Sequence, residues 1–375
     1  MTAIFVVMGN RFPPSRPRGQ RATISDVAAA AGVSKATVSK YLGGNKAYYI
    51  AAETRERIAK AISDLEFQPN AIAQGLSNRR SNTIGVIVAS ITNPFYPELI
   101  AGVEEIIGAS EYTLLLGSTD GSPAKEAALV RSMQQRQVDG LVMAAVTMQD
   151  DQVSRLVGSD VDVVLASRGL DATPTDTVVI DNELGARMAV EHLIGHGHRR
   201  IAHLAGPAEV VPFRLRLEGY RAALAAAGLE ADDRLLAVVD SESGSTTAAI
   251  AALLAAPDPP TAVFVANDRM AIEALEVCVA RDIRVPDDLA VIGFDNVWVG
   301  RLSGVALTSI DSRARSVGRT AAEVLARRIR ARHAETPLPL APPERIVLRP
   351  ELVIRRSCGC APAEKDDEEI IRPFF

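Results

Sequence analysis

The stretch TISDVAAAAGVSKATVSKYL, residues 23–42, decides the fold of the N-terminal part of this chain. Thr23 and Asp26 have the spacing of a capping box, with Asp in place of the usual Glu or Gln. Ser34 is placed to cap a second helix, and Gly32 supplies the positive φ that a tight turn between helices needs. The stretch therefore predicts two short helices joined at Gly32.

The second predicted helix has an apolar face and a polar face. Val33, Val38 and Leu42 face a third predicted helix, which runs from about Glu53 to Leu65. The polar face points outward, where it suits contact with base edges and phosphates in a DNA major groove. A generic small helical bundle is the alternative interpretation. The DNA contacts predicted for this head are Thr23, Ser34, Lys35, Ala36, Thr37, Ser39 and Lys40.

A shorter segment, PNAIAQGLSNRR at residues 69–80, follows the three predicted helices. A helix of about eight residues is marginal alone, so we expect it to order only when DNA and a partner segment complete its packing. Leu76 is an apolar side chain in this polar segment, and an inserted apolar side chain can unstack a base step and bend DNA. The alternative is a flexible linker with an incidental leucine. The head and this segment together favour a DNA-binding regulator over an enzyme.

Charge is distributed unevenly along the 375 residues. The formal net charge is −5, yet residues 1–80 hold twelve Lys and Arg against five Asp and Glu, a net of +7. The remaining residues therefore carry −12. A basic head on an acidic body concentrates the attraction to phosphate at one end of the chain.

Length and composition set the class of protein. A hydrophobic content of 47% over this length is enough for more than one domain with a large core. Three cysteines do not make a disulfide framework, which indicates a reducing compartment. Neither a signal peptide nor an apolar run of membrane-spanning length is recognisable. We therefore expect a cytoplasmic protein with no membrane partner.

The ordered motifs of the chain resemble those of the LacI/GalR family of bacterial transcription regulators. The resemblance runs from Thr23 to about Ser357 and rests on DVAAAAGVSKATVSKYL, FQPNAIAQGL, NTIGVIVASITNPFY, HLIGHGHRRIAHLAGP, VFVANDRMA and LAVIGFDN. It implies a homodimeric repressor that binds double-stranded operator DNA under the control of a small, sugar-like effector. In the hinge it implies that Asn70 caps a short helix, that Ala73 lies toward the minor groove, and that Leu76 is the wedge.

Two residues of the head depart from the family pattern. Ala51 stands where Ser or Thr usually caps the third helix, and the loss of that cap should cost about 1 kcal/mol. Lys40 stands where arginine is common, and lysine donates to guanine without the rigid fork of arginine. We expect the first departure to lower the stability of the head and the second to shift operator preference.

From Thr83 onward, short apolar strands alternate with longer helical segments. This pattern predicts a doubly wound α/β body, and its length fits two lobes across a cleft, as in periplasmic binding proteins. The resemblance implies crossings between the lobes near Asp181, Ile310 and Leu340. The predicted parts are a flexible arm (1–20), a helix-turn-helix head (21–68), a hinge (69–81), a ligand-binding and dimerisation body (82–357) with an N-lobe (82–181 and 311–340) and a C-lobe (182–310 and 341–357), and a disordered tail (358–375).

Ligands in such sheets bind at the carboxyl ends of the strands. The resemblance implies an aromatic wall, a guanidinium clamp and polar anchors there, which are groups that hold a sugar ring and its hydroxyls. A structural ion pair is the alternative for Arg216 and Asp295. Sugar-responsive relatives often have Asp or Asn where Ser167 stands, which leaves a smaller polyol open, and Arg168 leaves an acidic ligand open. The predicted ligand residues are Ser90, Phe95, Tyr96, Ser167, Arg216, Asn267 and Asp295.

Other polar residues are given structural roles. Asp181, Asn182 and Asp268 each precede a helical pattern and are predicted to cap it. The three histidines of HLIGHGHRR have a spacing that suits a metal, but a helix ending near them explains them better. The CGC pair near the C-terminus lacks a second pair of ligands. We therefore predict no metal and no cofactor. The alternative to a regulator is a transport-type sugar-binding protein, which would have no use for the head.

Overall fold

The computed structural model describes residues 22–43, 49–68, 80–110, 112–145, 156, 161–169, 175–239, 245–302, 304, 306–334 and 341–360. The chain divides into two compact units, residues 1–81 and residues 82–375. The predicted hinge residues Asn70, Ala73 and Leu76 lie outside the described residues. Within the described part of the chain, no helix is long and apolar enough to cross a membrane.

The described part of the head has three helices, which are α1 (Ile24–Ala31), α2 (Lys35–Leu42) and α3 (Ala52–Asp64). Gly32, between α1 and α2, has a φ of 63°, so the predicted left-handed turn is confirmed. A small core holds the three helices together, and Val38 of α2 and Ile58 of α3 are fully buried in it.

Side chains cap two of these helices. The carboxylate of Asp26 accepts hydrogen bonds from the backbone N of Thr23 at 2.8 Å and from its hydroxyl at 2.7 Å. Ser34 accepts one from the backbone N of Thr37 at 3.1 Å. Ala51 is the N-cap residue of α3 and provides no side-chain hydrogen bond. The predicted caps of α1 and α2 and the missing cap of α3 are therefore confirmed.

The described residues of the body form two six-stranded sheets. Its described strands are β1 (Thr83–Val88), β2 (Thr113–Ser118), β3 (Gly140–Met143), β4 (Asp162–Ala166), β5 (Asp176–Ile180), β6 (Ile201–Ala205), β7 (Leu236–Val238), β8 (Ala262–Val265), β9 (Ala290–Phe294), β10 (Thr308–Asp311), β11 (Arg345–Leu348) and β12 (Glu351–Val353). Its described helices are α4 (Phe95–Ile107), α5 (Pro123–Gln135), α6 (Asn182–Gly195), α7 (Val211–Ala226), α8 (Ser245–Leu254), α9 (Asp268–Ala280), α10 (Val299–Leu302) and α11 (Ala314–Arg332).

Both sheets are parallel apart from one edge strand. The N-lobe sheet has the order β11-β5-β4-β3-β1-β2, and the C-lobe sheet has the order β12-β10-β9-β8-β6-β7, in which β12 is antiparallel to β10. Because the paired strands within each sheet are otherwise parallel, their carboxyl ends lie at one edge. The predicted two-lobed, doubly wound body is confirmed.

The third crossing between the lobes lies later in the chain than predicted. Strand β11 belongs to the N-lobe sheet, where Val347 pairs with Val179 of β5, so residues 345–348 were wrongly assigned to the C-lobe. The chain enters the C-lobe sheet only at β12. Both strands were missed from the sequence because they are edge strands: β11 alternates between exposed and half-buried residues instead of forming a buried apolar run.

The packed body also extends past the predicted boundary at residue 357. Cys358 is only 2% exposed and packs in the C-lobe core with residues of β9 and β10, so the prediction that a disordered tail begins there was wrong. The preceding Ser357 anchors this segment, because its carbonyl accepts a hydrogen bond from the backbone N of Val291 at 2.8 Å.

Helix α11 fixes the N-lobe by two contacts. It crosses α4 at a pair of glycines: a Cβ added at Gly102 would overlap the carbonyl oxygen of Arg315, and one at Gly318 would overlap that of Leu99. Further along α11, Arg328 forms a two-point ion pair with Asp176 of β5, with both N···O distances 2.7 Å. Close backbone approach therefore holds α11 against α4, and a buried charge pair holds it against the sheet.

Candidate functional site

The outward face of α2 is the candidate DNA-reading surface of the head. Lys35, Ala36, Ser39 and Lys40 are exposed, whereas Val38 on the opposite side is fully buried. The predicted division of α2 into an inner and an outer face is therefore confirmed. The first turn of α2 holds no acidic residue, so no carboxylate in that turn competes with phosphate for the positive dipole end of the helix.

Three further predicted DNA contacts lie at the starts of α1 and α2. The hydroxyls of Ser34 and Thr37 are 2.9 Å apart, and Ser34 also caps α2. Thr23 is exposed and its hydroxyl donates to Asp26 at 2.7 Å. These side chains hold the helix starts in place, and a DNA contact from them would have to share hydroxyls that are already hydrogen-bonded.

A cavity with about 540 Å³ of empty space, including solvent at its mouth, opens at the strand ends of the two lobes. Its lining includes every ligand residue predicted from the sequence. Ser90, Phe95 and Tyr96 follow β1, Ser167 follows β4, Arg216 lies on α7, Asn267 follows β8, and Asp295 follows β9. The fold brings them together because the carboxyl ends of parallel strands share one edge.

Arg216 is the most constrained side chain of the cavity. Its Nε donates to the Oδ1 of Asn182 at 2.9 Å, and its Nη1 donates to the carbonyl oxygen of Ala266. Its Cζ lies 3.6 Å from the ring centroid of Phe294, a cation–π contact. Its Nη2 lies 3.7 Å from the Oδ1 of Asp295. The guanidinium is therefore fixed in one orientation before any ligand binds.

Burial controls the electrostatics of the cavity wall. Burial raises the pKa of Asp295 to about 7, against the lowering effect of Arg216. Burial also lowers the pKa of Arg216. Asp295 has a φ of 117°, a backbone conformation that non-glycine residues rarely adopt. Strained backbone conformations of this kind cluster at functional sites. Asp295 lines the cavity with a carboxyl group that is readily protonated.

Aromatic rings form a second part of the cavity wall. Phe95 and Tyr96 pack edge to face, with ring centroids 5.1 Å apart and an interplanar angle of 86°. Nearby, Ser90 forms a local turn in which its Oγ lies 2.9 Å from the Oγ1 of Thr92. On the other side Ser167 adopts a left-handed φ of 66° after its strand. The cavity thus combines an apolar surface with hydroxyl, carboxyl and guanidinium groups.

The structure corrects two of the predicted helix caps. Asp181 caps α6, accepting from the backbone N of Leu184 at 2.9 Å, as predicted. At α9 the cap is Asn267, which accepts from the backbone N of Met270 at 2.9 Å. Asp268 is instead fully buried and accepts from the Ser309 hydroxyl at 2.7 Å. Because the helix begins one residue earlier than predicted, Asn267 takes the capping role while it still lines the cavity, and Asp268 is buried.

Asn182 likewise does not cap α6. Its amide nitrogen donates to the carbonyl oxygen of Ile180 at 3.1 Å, and its amide oxygen accepts from Arg216. The residue therefore positions the guanidinium of Arg216. The sequence offered no signal for this role, because the two residues are 34 positions apart.

Two polar residues of the cavity, Asn93 and Arg269, were not predicted as ligand contacts, and a third, Arg168, was named only for an acidic ligand. Asn93 accepts from the backbone N of Phe95 at 3.1 Å and so shapes the loop after β1. Arg269, which is half-buried, pairs with Glu273 of α9 at 3.5 Å. Asn93 follows the end of β1 and Arg269 follows the end of β8 by a few residues. Their positions after predicted strands are the sequence signal that could have identified them.

A neighbouring cavity with about 590 Å³ of empty space lies beside the first and shares Ser167 and Pro212 with it. Its lining includes Asp181 and Arg345 but none of the aromatic side chains. It lies beside two crossings between the lobes. The cavity around Arg216 and Asp295 is therefore the better candidate ligand site.

Both units match known protein families. Residues 23–70 match the family described as "Bacterial regulatory proteins, lacI family", and residues 190–358 match the "Periplasmic binding protein-like domain". The chain is similar to the HTH-type transcriptional repressor PurR of Photobacterium profundum. The two are 35% identical over 337 residues, which cover 90% of this chain and 98% of the relative.

Solved structures show the same relationship. The complex of the transcriptional regulator CelR with cellobiose is 34% identical with a TM-score of 0.65, and the match covers 90% of this chain and all of that one. The lac repressor dimer bound to operator and the anti-inducer ONPF is 26% identical with a TM-score of 0.78, and the match covers 90% of this chain and 99% of that one.

Proposed function

Because the chain belongs to the LacI family of bacterial regulatory proteins, we propose that it is a transcriptional repressor whose operator affinity is controlled by a sugar-like effector bound in the cavity of the body. The observation that carries this proposal is the convergence of an aromatic wall, a fixed guanidinium and a buried carboxyl on one cavity. A carboxyl group and a guanidinium can bind adjacent hydroxyls, and aromatic rings cover the apolar side of a sugar.

The polarity of the lining favours binding over catalysis. Asp295 is the only acidic residue among the described residues that line the cavity. Hydrolysis of a glycosidic bond ordinarily requires a pair of carboxyl groups on opposite sides of that bond. A single carboxyl beside an arginine can hold a ligand but does not supply such a pair. The protein is therefore proposed to be a sensor rather than an enzyme.

An acidic ligand, such as a sugar phosphate or a sugar acid, is the second candidate. Arg168 and Arg269 line the same cavity as Arg216, which gives three guanidinium groups against one carboxyl. Arginine binds phosphate and carboxylate oxygens in a bidentate manner. A neutral sugar remains the first choice because Arg216 is already held by Asn182 and Ala266.

The DNA-bound form is proposed to be a homodimer on a pseudopalindromic operator. One helix pair reads one half-site, so a symmetric operator requires two chains. Effector binding is proposed to weaken operator binding. By thermodynamic linkage, operator DNA must then weaken effector binding by the same factor.

A ligand screen followed by a mobility-shift assay tests the proposal. Full-length protein is screened by thermal shift against neutral sugars, polyols, sugar phosphates and nucleobases, and hits are added to complexes with DNA from upstream of the protein's own gene. We expect a neutral sugar to raise the melting temperature and to release the DNA. Hits confined to sugar phosphates would favour the second candidate. Ligand binding without any DNA binding would favour a transport-type protein and contradict the proposal.

A further inference from the structure

The end of helix α6 and the C-terminal segment of the body bring four metal-binding side chains together. The Sγ of Cys360 lies 3.3 Å from the Nε2 of His192 and 3.1 Å from the Nε2 of His196. The two imidazole rings lie on the same side of the helix, with centroids 4.6 Å apart. Residues four apart on a helix project from one face, so this pair is arranged to hold a common ligand.

Cys358 joins His192 and Cys360 from the side of the core. The potential ligand atoms of His192, Cys358 and Cys360 all lie within 4.8 Å of one another. The thiol of Cys358 is buried, and its Sγ accepts a hydrogen bond from the hydroxyl of Thr308 at 3.2 Å. This hydrogen bond orients the sulfur, in the way that outer-shell partners orient metal ligands.

We propose that His192, His196, Cys358 and Cys360 form a tetrahedral zinc site. Two cysteines and two histidines are a common ligand set of structural zinc. With Zn–S bonds of about 2.3 Å and Zn–N bonds of about 2.0 Å, a tetrahedron places sulfur and nitrogen about 3.5 Å apart. The observed contacts of 3.3 and 3.1 Å differ from that separation by a few tenths of an ångström. Zn²⁺ would form bonds to both sulfurs and displace the two thiol protons to solvent.

This site could not be predicted from the sequence, because the histidines and the cysteines each form only half of a ligand set. The CGC pair has no second pair of ligands near it, and the histidines of HLIGHGHRR have no sulfur near them. The two halves are separated by more than 160 residues and meet only when the C-terminal segment packs on the C-lobe. Neither the histidines alone nor the CGC pair alone predicts a metal site. The proposal of a joint site replaces the prediction of no metal.

A disulfide between Cys358 and Cys360 is the competing use of the two thiols. It would need an oxidant to accept two electrons, and it would leave both imidazoles beside a neutral sulfur without a role. A metal uses all four side chains. It would also join α6 to the C-terminal segment across a long loop, and a cross-link that closes a long loop restricts the unfolded chain.

Metal content and a cobalt spectrum test the site in the full-length protein, purified without a polyhistidine tag. Loaded with Zn²⁺ and then desalted, the wild type should retain about one zinc per chain. Substituted with Co²⁺, it should show the sulfur-to-metal charge-transfer band and the intense visible bands of a tetrahedral thiolate site. Zinc should raise the melting temperature of the wild type.

Two ligand variants and two matched controls complete the experiment. Cys360→Ser and His196→Ala alter partly exposed or exposed side chains, so both should fold, which circular dichroism checks. Each should bind zinc at least about a hundredfold more weakly than the wild type and lose the thermal shift. His198→Ala and Cys278→Ala remove a histidine and a cysteine outside the cluster and should leave zinc binding unchanged. Retention of zinc by the ligand variants, its absence from the wild type, or a Cys358–Cys360 disulfide in anaerobically purified protein would overturn the proposal.

Discussion

The Nη2 of Arg216 lies 3.7 Å from the Oδ1 of Asp295, near enough for charge attraction but beyond hydrogen-bond distance. The guanidinium is drawn away by its hydrogen bonds to Asn182 and to the carbonyl oxygen of Ala266. The two charges therefore do not neutralise each other through a direct hydrogen bond. The carboxyl group of Asp295 keeps oxygen atoms for a ligand, and this geometry leads to the first two predictions.

Asp295→Asn should abolish the effector response while DNA binding persists. The amide fills the same space but cannot accept two hydroxyl hydrogen bonds as a charged group does. The effector should bind about 10- to 100-fold more weakly, since a hydrogen bond to a charged group contributes about 1.5–3 kcal/mol. Calorimetry with the ligand found in the screen measures this loss. Asp120→Asn is the control, because Asp120 also follows a strand of the body but pairs with Lys125 at 2.7 Å outside the cavity lining. An unchanged affinity in Asp295→Asn would place the ligand elsewhere.

Affinity for a neutral, hydroxyl-bearing effector should rise with pH. Burial holds the pKa of Asp295 at about 7, so the carboxyl is mostly protonated at pH 6 and mostly ionised at pH 8. If the ionised form accepts the ligand's hydroxyls, the dissociation constant should fall about tenfold between these pH values. The pKa of neighbouring Asp268, which burial raises to about 6, also falls in this range. Asp295→Asn isolates the effect, and a pH profile equally steep in that variant would contradict the assignment.

His203 should make the C-lobe sensitive to acid. Its ring stacks on Phe264 with centroids 4.8 Å apart, its Nδ1 lies 2.9 Å from the carbonyl oxygen of the same residue, and its buried Nε2 has no hydrogen-bond partner among the described residues. Burial lowers its pKa to about 4. The unfolded chain binds the proton more tightly than the folded chain, so stability is present above about pH 6.5 and is lost as pH falls toward 4.

The size of this loss is measured as a difference between two proteins. Between pH 7 and 4.5 the free energy of unfolding of the wild type should fall by about 2–3 kcal/mol more than that of His203→Phe. Urea denaturation in the presence of a chelator measures it, since the chelator removes any contribution of bound metal. Parallel pH profiles for the two proteins would show that His203 does not titrate on unfolding.

Ala51→Ser should stabilise the head by about 1 kcal/mol, because serine can accept a hydrogen bond from a free backbone N–H at the start of α3. Ala51 provides no such bond at present. Urea denaturation of a fragment covering residues 1–81, followed by circular dichroism, measures the change. The same substitution at Ala29, which is exposed inside α1, should lower the stability by a few tenths of a kcal/mol, since serine is a poorer helix former than alanine. Equal effects at both positions would show that capping is not involved.

Leu76→Ala should weaken binding to the operator at least about tenfold and leave binding to random DNA nearly unchanged, because an inserted side chain supports the bend of a specific site only. The prediction rests on the sequence, since Leu76 lies outside the described residues. Arg79→Ala is the comparison, and loss of a phosphate contact should weaken both kinds of binding alike. Mobility-shift assays on operator DNA and on random DNA measure the loss of affinity for each variant. Equal losses on both DNAs for Leu76→Ala would indicate that the leucine packs within the protein.

The sequence predicted the strands of the cavity well because buried parallel strands appear as apolar runs, and the residue that follows such a run is at the ligand edge. Ser90, Ser167 and Asp295 were found in this way. A role that depends on the exact first residue of a helix was less predictable, since Asn267 and not Asp268 caps α9. Periodicity does not determine which of two adjacent polar residues caps a helix and which is buried.

Contacts between distant segments could not be predicted from local patterns. The hydrogen bond from Arg216 to Asn182 and the cluster of Cys360 with His192 both depend on packing between elements far apart in the chain. Strands β11 and β12 were not predicted either, because an edge strand is half exposed and its sequence carries a weak apolar signal.

The last crossing between the lobes limits how an effector can act. Only two residues, Arg349 and Pro350, connect β11 in one sheet to β12 in the other. The Cα atoms of Leu348 and Glu351 can therefore never be more than about 11 Å apart. The lobes cannot move far apart at this point, so any opening of the cavity must keep these two strand ends close together. A rotation that hinges near Pro350 meets this condition, and under such a rotation the displacement of each cavity residue grows with its distance from the hinge.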